Sequence, residues 1–141
     1  MRFVDVGIFL CAAIEEPREH FKGCKSLLER LEVKEGKAKE KVYTTLLTPV
    51  VFYFILENRE GLSKEKLTKA ILSMRALNIT FLPLGDGSAL EEAARLAGKK
   101  GTDFDDALNA IVMRKTGIRE IYALDRHYDR FEWVKRITPV A

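Results

Sequence analysis

The stretch Arg2-Phe3-Val4-Asp5-Val6, at the start of the chain, is a short apolar run that is interrupted by an aspartate. Such a run is typical of a strand buried on both faces of a parallel sheet. A second stretch of this kind, Ile121-Tyr122-Ala123-Leu124-Asp125, lies near the other end of the chain. The sequence therefore predicts two buried strands, with Asp5 and Asp125 near their carboxyl ends.

Strand-like and helix-like patterns alternate between these two stretches. Further strands are predicted at 41–44, 79–82 and 134–137, and the second stretch extends to 120–124. Predicted helices begin near Pro17, Thr44 or Thr45, Ser63, Ala89, and Thr102 or Asp103, and Gly98 and Gly117 end the last two. The segment 33–40, with alternating Glu and Lys, is predicted to be a solvated helix end or loop. Without repeats or a linker, the pattern predicts one α/β domain over residues 1–141 with a mostly parallel sheet.

The composition is that of a folded domain with a sizeable core. Of the 141 residues, 47% are hydrophobic and 32% are charged, which argues against a disordered chain. The net charge of +3 permits an anionic partner without requiring one. The longest apolar stretch, 46–56, contains a threonine and a proline, so we expect no membrane span. We also expect no signal peptide, because Asp5 lies where its apolar region would have to be. Cys11 and Cys24 lack zinc-ligand spacing and predict two free thiols in a reducing cytoplasm.

The aspartates are concentrated rather than scattered, since five of the seven lie in the last third of the chain. Asp5 and Asp125 fall at predicted strand ends, where the functional crevice of such sheets lies. Asp103 and Asp106, three residues apart, share a face of their helix, and Asp103 also suits its N-cap. Asp105 is rotated by about 100° from Asp106 and is predicted to be solvated. Converging carboxylates repel one another, and a divalent cation with hard oxygen ligands, Mg²⁺ or Mn²⁺, relieves that repulsion.

These motifs resemble those of PIN domains. The opening 3–10 resembles their first strand, aspartate and helix, and Asp106-Ala107-Leu108-Asn109-Ala110 resembles their "DA" helix motif. The stretch 121–131 resembles their fourth motif, and 133–139 is similar to their usual ending. The resemblance spans essentially the whole chain in order and spacing. It implies a three-layer fold with a central, mostly parallel sheet flanked by helices, metal-dependent ribonuclease activity, and kinship with the toxin nucleases of toxin–antitoxin pairs.

The sequence departs from the family pattern at two positions. The family usually has Asn two residues after the first aspartate, where this chain has Gly7. The family's second acid is a glutamate early in the helix after the second strand, and the alignment puts Val51 there. Glu57, the only acid in this helix, is rotated by about 240° from that position and displaced by roughly 9 Å along the axis. The family's site of four acids thus becomes a site of three.

The first functional hypothesis is a metal-dependent ribonuclease that hydrolyses phosphodiester bonds of single-stranded or structured RNA and is weakened by the missing carboxylate. Asp5, Asp106 and Asp125 would be its catalytic residues and would hold one or two Mg²⁺ or Mn²⁺ ions, with Asp103 supporting the second. The basic candidates for the phosphate backbone are Lys99, Lys100, Arg126 and Arg130, followed by Lys135 and Arg136. Asp129 is a weaker candidate for the metal, and His127 for the substrate.

The alternative hypothesis is a PIN-fold module that has lost catalysis and binds RNA or protein. Gly7 and Val51 favour it, because each replaces a polar residue of the family's site by an inert one, whereas the retained aspartates argue against it. A phospho-acceptor receiver domain would need paired acids at the first strand, where only Asp5 stands. A nucleotide-binding protein would need a Walker loop, and the sequence has none.

The helix at 49–56 is apolar on all sides, with Phe52, Tyr53 and Phe54 in succession. Such a helix must be buried in the core or against another subunit. PIN domains often dimerise, so the composition and the resemblance together predict a homodimer. RNA and an antitoxin protein are the other partners that the resemblance implies.

Overall fold

The central sheet is entirely parallel. A computed structural model describes residues 1–32 and 40–141, so the predicted solvated segment at 33–40 lies outside the described residues except for Glu40. Within these residues the sheet has five strands, β1 (Arg2–Val4), β2 (Val42–Thr45), β3 (Ile79–Leu82), β4 (Glu120–Tyr122) and β5 (Lys135–Ile137). Their order across the sheet is β3-β2-β1-β4-β5, and every neighbouring pair is parallel. The predicted parallel sheet is confirmed.

Helices cover both faces of this sheet. They are α1 (Val6–Ile14), α2 (Arg18–Arg30), α3 (Leu47–Asn58), α4 (Lys64–Arg75), α5 (Gly87–Lys100), α6 (Phe104–Thr116) and a short 3₁₀ helix, η1 (Arg126–Arg130). Val4 faces a core formed with α1 to α4, whereas Phe3 faces a second core formed with α5, α6 and η1. Because successive side chains of a strand point to opposite faces, the apolar run at 3–4 serves both cores. The predicted three-layer arrangement is confirmed.

The predicted threonine cap of α3 is wrong. The N-cap position is Leu46, and no side chain caps the helix there. Thr44 Oγ1 instead donates to the carbonyl oxygen of Val4 at 2.8 Å, and Thr45 Oγ1 donates to Asn109 Oδ1 at 2.9 Å. Thr44 Oγ1 also lies 2.7 Å from the hydroxyl oxygen of Thr48 in α3, so both buried threonines have hydrogen-bond partners, and neither caps the amides of α3.

Helix α5 is longer than predicted at both ends. It begins at Gly87, continues through Gly98 to Lys100, and ends at Gly101, which adopts a left-handed φ of 67°. The amide of Gly101 bonds to the carbonyl of Ala97, as in a common glycine C-cap. A glycine inside a helix costs only about 1 kcal/mol, which the packing of α5 on α6 outweighs.

Two further predictions from the sequence concern the cysteines and membrane-spanning helices. Cys11 and Cys24 are both free, as predicted, and the structure shows that both are buried. Among the residues described, none of the helices has the length and apolarity that crossing a membrane would require.

Gly23 allows the C-terminal segment to pass close to α2. A Cβ at this position would lie 2.3 Å from the carbonyl oxygen of Pro139, which is a backbone clash. We expect Gly23→Ala to lower the free energy of unfolding by about 1–3 kcal/mol, the usual cost of overpacking. Gly98→Ala is the matched control, because a Cβ there meets nothing within 4 Å, and it should raise stability by about 1 kcal/mol. Urea denaturation measures both, and changes of the same sign would contradict this packing.

Candidate active site

Two of the predicted site residues meet at the carboxyl edge of the sheet. Asp5 follows β1 and is the N-cap of α1, and Asp125 is the N-cap of η1, shortly after β4. Strands β1 and β4 are parallel neighbours in which Val4 pairs with Tyr122. Their carboxyl ends therefore lie side by side, at the edge where such sheets carry their functional crevice.

The start of α6 adds two more aspartates to this edge. Ligand atoms from four residues lie within 4.8 Å of one another, and we call this group the Asp–His cluster: Asp103, Asp106, Asp125 and His127. His127 Nδ1 lies 3.2 Å from Asp106 Oδ2, 3.6 Å from Asp125 Oδ1 and 3.7 Å from Asp103 Oδ2. The structure thus brings together three of the four predicted metal ligands and adds a histidine.

The members of the cluster differ in exposure. The side chain of Asp103 is 69% exposed, and although it occupies the N-cap position of α6 it makes no capping hydrogen bond. Asp125 is 39% exposed, and Asp106 is almost completely buried. The cluster is therefore open to solvent on the side of Asp103 and closed at Asp106.

Two carboxylates of the site are costly to keep ionised. Burial, and to a smaller extent the charges of Asp5, Asp105, Asp125 and Asp103, together raise the pKa of Asp106 to about 9. Burial also raises the pKa of Asp5 to about 6, although hydrogen bonds from Tyr128 and Gly7 oppose that rise. A proton or a cation must therefore neutralise part of this site.

Asp5 is held by a chain of buried hydrogen bonds. Its Oδ1 accepts a hydrogen bond from the hydroxyl of Tyr128 at 2.8 Å, and its Oδ2 accepts one from the amide of Gly7 at 3.1 Å. The Tyr128 oxygen accepts from Asn109 Nδ2 at 3.2 Å, and Asn109 Oδ1 accepts from Thr45. Asp5 is not part of the Asp–His cluster, but its charge raises the pKa of Asp106, so the two carboxylates share one electrostatic environment.

Sequence reasoning did not single out Tyr128 and Asn109. Both lie inside the motifs quoted above, in the stretches 106–110 and 121–131. Asn109 is three residues after Asp106, and residues at that spacing share a helix face. This spacing was the available signal, whereas nothing in the sequence pairs Tyr128 with Asp5, 123 positions away.

Asp105 was predicted to be solvated, but it is partly buried. Burial raises its pKa, and its charge in turn raises the pKa values of Asp5 and Asp106. The rotation of about 100° along α6 takes Asp105 out of the Asp–His cluster without taking it out of the electrostatic field of the site.

Helix α3 contributes no carboxylate to the described site. Val51, at the position where PIN domains have their second acid, is partly buried against the core on the α1 to α4 face. Glu57 forms an ion pair with Lys64 at the start of α4. This agrees with the expectation that Glu57 does not replace the missing acid.

Two of the predicted phosphate-binding residues have partners within the fold. Lys100 Nζ lies 3.0 Å from Glu132 Oε1, and Arg130 donates to the carbonyl oxygens of Lys100 and Gly101. These contacts fasten the turn between α5 and α6 to η1. Lys100 and Arg130 therefore support the loop that carries the aspartates of α6.

The other candidates for phosphate binding differ in their exposure to solvent and in whether they form ion pairs within the fold. Lys99, Arg126 and Lys135 are exposed. Arg136 forms a two-pronged ion pair with Asp129, with N–O distances of 3.0 and 3.2 Å. Asp129 thus pairs with Arg136 rather than joining the Asp–His cluster.

The fold has a known structural class. A parallel sheet of five strands between two helical layers, with aspartates after the two adjacent strands β1 and β4 and at the start of α6, is the arrangement of PIN domains. The chain has the PIN-domain fold.

Known structures support this assignment of the fold. VapC20 from Mycobacterium tuberculosis, described as a sarcin–ricin loop cleaving toxin, superimposes with a TM-score of 0.67 at 21% identity, covering 89% of this chain and 90% of that chain. VapBC2 from Rickettsia felis, bound to a DNA fragment from its promoter, gives 0.66 at 11% identity and covers 96% of each chain. PAE2754 from Pyrobaculum aerophilum gives 0.57 at 18% identity, covering 96% of this chain and 87% of that one. Protein-family models and curated proteins give no match.

Proposed function

We propose that this protein is a divalent-metal-dependent endoribonuclease, weakened by the lack of an acid from α3. The observation that carries the proposal is the convergence of Asp103, Asp106 and Asp125 at one edge of the sheet, with Asp106 buried beside the further carboxylate of Asp5. Buried carboxylates with raised pKa values in a crevice are typical of functional sites.

The residues of the cluster fit a divalent cation. Oxygen ligands of Mg²⁺ lie about 2.1 Å from the ion, so two of them are at most about 4.2 Å apart. The ligand atoms of the cluster already lie within 4.8 Å of one another, so small side-chain movements suffice. The donors are mainly carboxylates, which suit Mg²⁺ or Mn²⁺. When bound, such an ion supplies an activated water and stabilises charge on the scissile phosphate.

Each residue of the proposed metal site then has a definite role. Asp106 and Asp125 hold the ion, Asp103 extends the site toward solvent, and Asp5 is the third catalytic carboxylate. Two hydrogen bonds leave Asp5 with acceptor positions for a cation, because a carboxylate has about four. Tyr128 keeps Asp5 in one orientation. Tyr128 is therefore a positioning residue.

The RNA backbone would bind beside the open side of the cluster. Lys99 and Arg126 are exposed on the segments that carry the site, so we assign the phosphate contacts to them first. Lys100 and Arg130 then act through the loop that they fasten. VapC20, with the same fold, is described as cleaving the sarcin–ricin loop, which supports RNA as the substrate class here.

An antitoxin protein is the proposed protein partner. The likeness to VapBC2 supports it, and so does an apolar groove of about 350 Å³ between α1, α2, α3 and α4. Its apolar lining includes Phe9, Phe52 and Met74, and Lys25 and Glu29 provide charge. A groove of this kind suits an amphipathic helix.

We also assign the protein to the cytoplasm, where its buried thiols stay reduced.

The test of the proposed function is a cleavage assay. Single-stranded and hairpin RNAs of defined sequence are incubated with the purified protein in Mn²⁺, in Mg²⁺ and in EDTA. The proposal predicts internal cleavage with a divalent ion and none in EDTA. RNA that is bound but uncut with either ion would favour the second candidate, a non-catalytic RNA-binding module, which the apolar surroundings of Val51 support.

We further propose that the protein forms a homodimer through an exposed apolar surface on α3 and α4. Val50, Phe54 and Leu72 are each more than 60% exposed in the single chain, and the apolar helix α3 was expected to be buried either in the core or against another subunit. We expect a dimer by light scattering at micromolar concentration. Phe54→Asp should give a monomer, because it puts a charge on the surface that the second copy covers. Leu90→Asp, an exposed leucine on α5, should leave the dimer intact, and a wild-type monomer would contradict the proposal.

A further inference from the structure

His127 contributes a nitrogen donor to the Asp–His cluster. Its Nδ1 lies between 3.2 and 3.7 Å from one oxygen of each of three carboxylates, those of Asp103, Asp106 and Asp125. The side chain is 30% exposed, so it lies at the mouth of the cluster rather than in the core. One ring nitrogen therefore faces three carboxylates at once.

The position of the imidazole is fixed by its neighbours along the chain. The backbone amide of His127 donates to Asp125 Oδ1 at 2.8 Å. The next residue, Tyr128, is completely buried and bonds to Asp5. The ring is therefore attached to a rigid segment that already carries one metal-binding candidate and orients another, and such support is what a metal ligand requires.

Hydrogen bonding alone does not account for the arrangement. A single N–H is directed at one acceptor, and interactions weaken steeply as the angle departs from linear. Only the contact with Asp106 Oδ2, at 3.2 Å, is within hydrogen-bonding distance, and the other two distances exceed 3.5 Å. A cation among the four ligand atoms would bind all of them, with the imidazole proton on Nε2.

We propose that His127 is a metal ligand through Nδ1, that it replaces the carboxylate missing from α3, and that it makes the site prefer Mn²⁺ to Mg²⁺. Val51 removes one oxygen donor, and His127 restores the number of donors with nitrogen. Mg²⁺ prefers oxygen donors, whereas imidazole suits transition metals. The inference rests on the proposed function, since it concerns the same metal site.

The first experiment measures affinity. Mn²⁺ and Mg²⁺ are titrated separately, by calorimetry, into chelator-treated wild-type protein, His127→Gln and the matched control His20→Gln. His20 lies on α2, on the other face of the sheet, and is the only other histidine of the sequence. We expect His127→Gln to weaken Mn²⁺ binding by about tenfold or more, since even outer-shell partners of metal ligands are worth that much. Mg²⁺ binding should change by less than about threefold, and His20→Gln should match wild type.

The second experiment needs no substitution and so does not depend on how a variant folds. Pulsed electron paramagnetic resonance of Mn²⁺ bound to the wild-type protein detects a directly coordinated nitrogen. We expect a ¹⁴N coupling that changes to a ¹⁵N coupling when the protein is made with ¹⁵N-labelled histidine.

The outcomes separate this inference from the proposed function. Saturable Mn²⁺ binding without a nitrogen coupling, or with equal affinity in His127→Gln, would overturn the role of His127 and leave a site of carboxylates alone. Absence of saturable Mn²⁺ binding to wild type would overturn both.

Discussion

Asp106→Asn is expected to reduce metal-dependent RNA cleavage by more than about 100-fold, beyond the range seen when an outer-shell partner of a metal ligand is lost. Asp106 is the buried member of the Asp–His cluster, and its carboxylate faces both His127 and the charge of Asp5. Asparagine keeps the size of the side chain but removes the charge that a cation needs. Cleavage rates of a defined RNA in Mn²⁺ at several metal concentrations measure the effect.

Asp129→Asn is the matched control for this experiment. Asp129 lies in the same segment as Asp125 but is half-exposed and pairs with Arg136. Because surface ion pairs contribute at most about 1 kcal/mol, we expect near-wild-type activity. Equal losses in the two variants would show that any aspartate of the region affects cleavage, and the assignment of Asp106 would be wrong.

The second large effect of replacing Asp106 is on the stability of the metal-free protein, which we expect to rise although cleavage activity falls. The pKa of Asp106 is about 9 in the folded protein, against an ordinary value of 3.8. Between these two values the folded state keeps a proton that the unfolded state has lost, so the metal-free protein loses stability as the pH rises from about 4 to about 9. The largest contribution of this one group is about 1.4 kcal/mol per pH unit. The raised pKa of Asp5 acts in the same direction over a narrower range.

Asp106→Asn should remove most of this pH dependence. The variant is expected to be more stable than wild type by about 2 kcal/mol or more at pH 8, and by less at pH 5. Urea denaturation in EDTA at pH 5, 6.5 and 8 gives the difference between the two proteins at each pH. A difference that stays constant, or shrinks as the pH rises, would contradict the raised pKa of Asp106.

Loss of activity with a gain in metal-free stability is the pattern expected of a functional carboxylate. A buried charge that served only the fold would be destabilising to remove. Addition of Mn²⁺ should reduce the stability difference, because an ion that binds only the folded wild-type protein stabilises it.

The sheet and its acidic edge could be predicted because local sequence determines them. The apolar runs at 3–4 and 121–124 can only be buried, and chain direction then puts Asp5 and Asp125 at the same edge. Helical spacing placed Asp103 and Asp106 on a common face, and the structure brings both into the cluster. The departure from the family pattern at Val51 could also be predicted, because a valine side chain has no atom that can bind a metal ion.

The remaining features depend on contacts that join distant parts of the chain. Thr45 looks like a helix cap in sequence but bonds to Asn109, 64 positions away. Lys100 resembles a phosphate-binding residue, yet it pairs with Glu132 across the turn. No local pattern distinguishes a polar side chain that has a distant partner from one that does not. The ring position of His127 likewise follows from packing around η1 rather than from spacing.

Calorimetric titration of Mn²⁺ into the chelator-treated protein shows whether the aspartates at the carboxyl edge of the sheet form a metal site. We expect saturable binding to wild type that Asp106→Asn abolishes and Asp129→Asn preserves. No binding at millimolar Mn²⁺, or binding that survives Asp106→Asn unchanged, would contradict it.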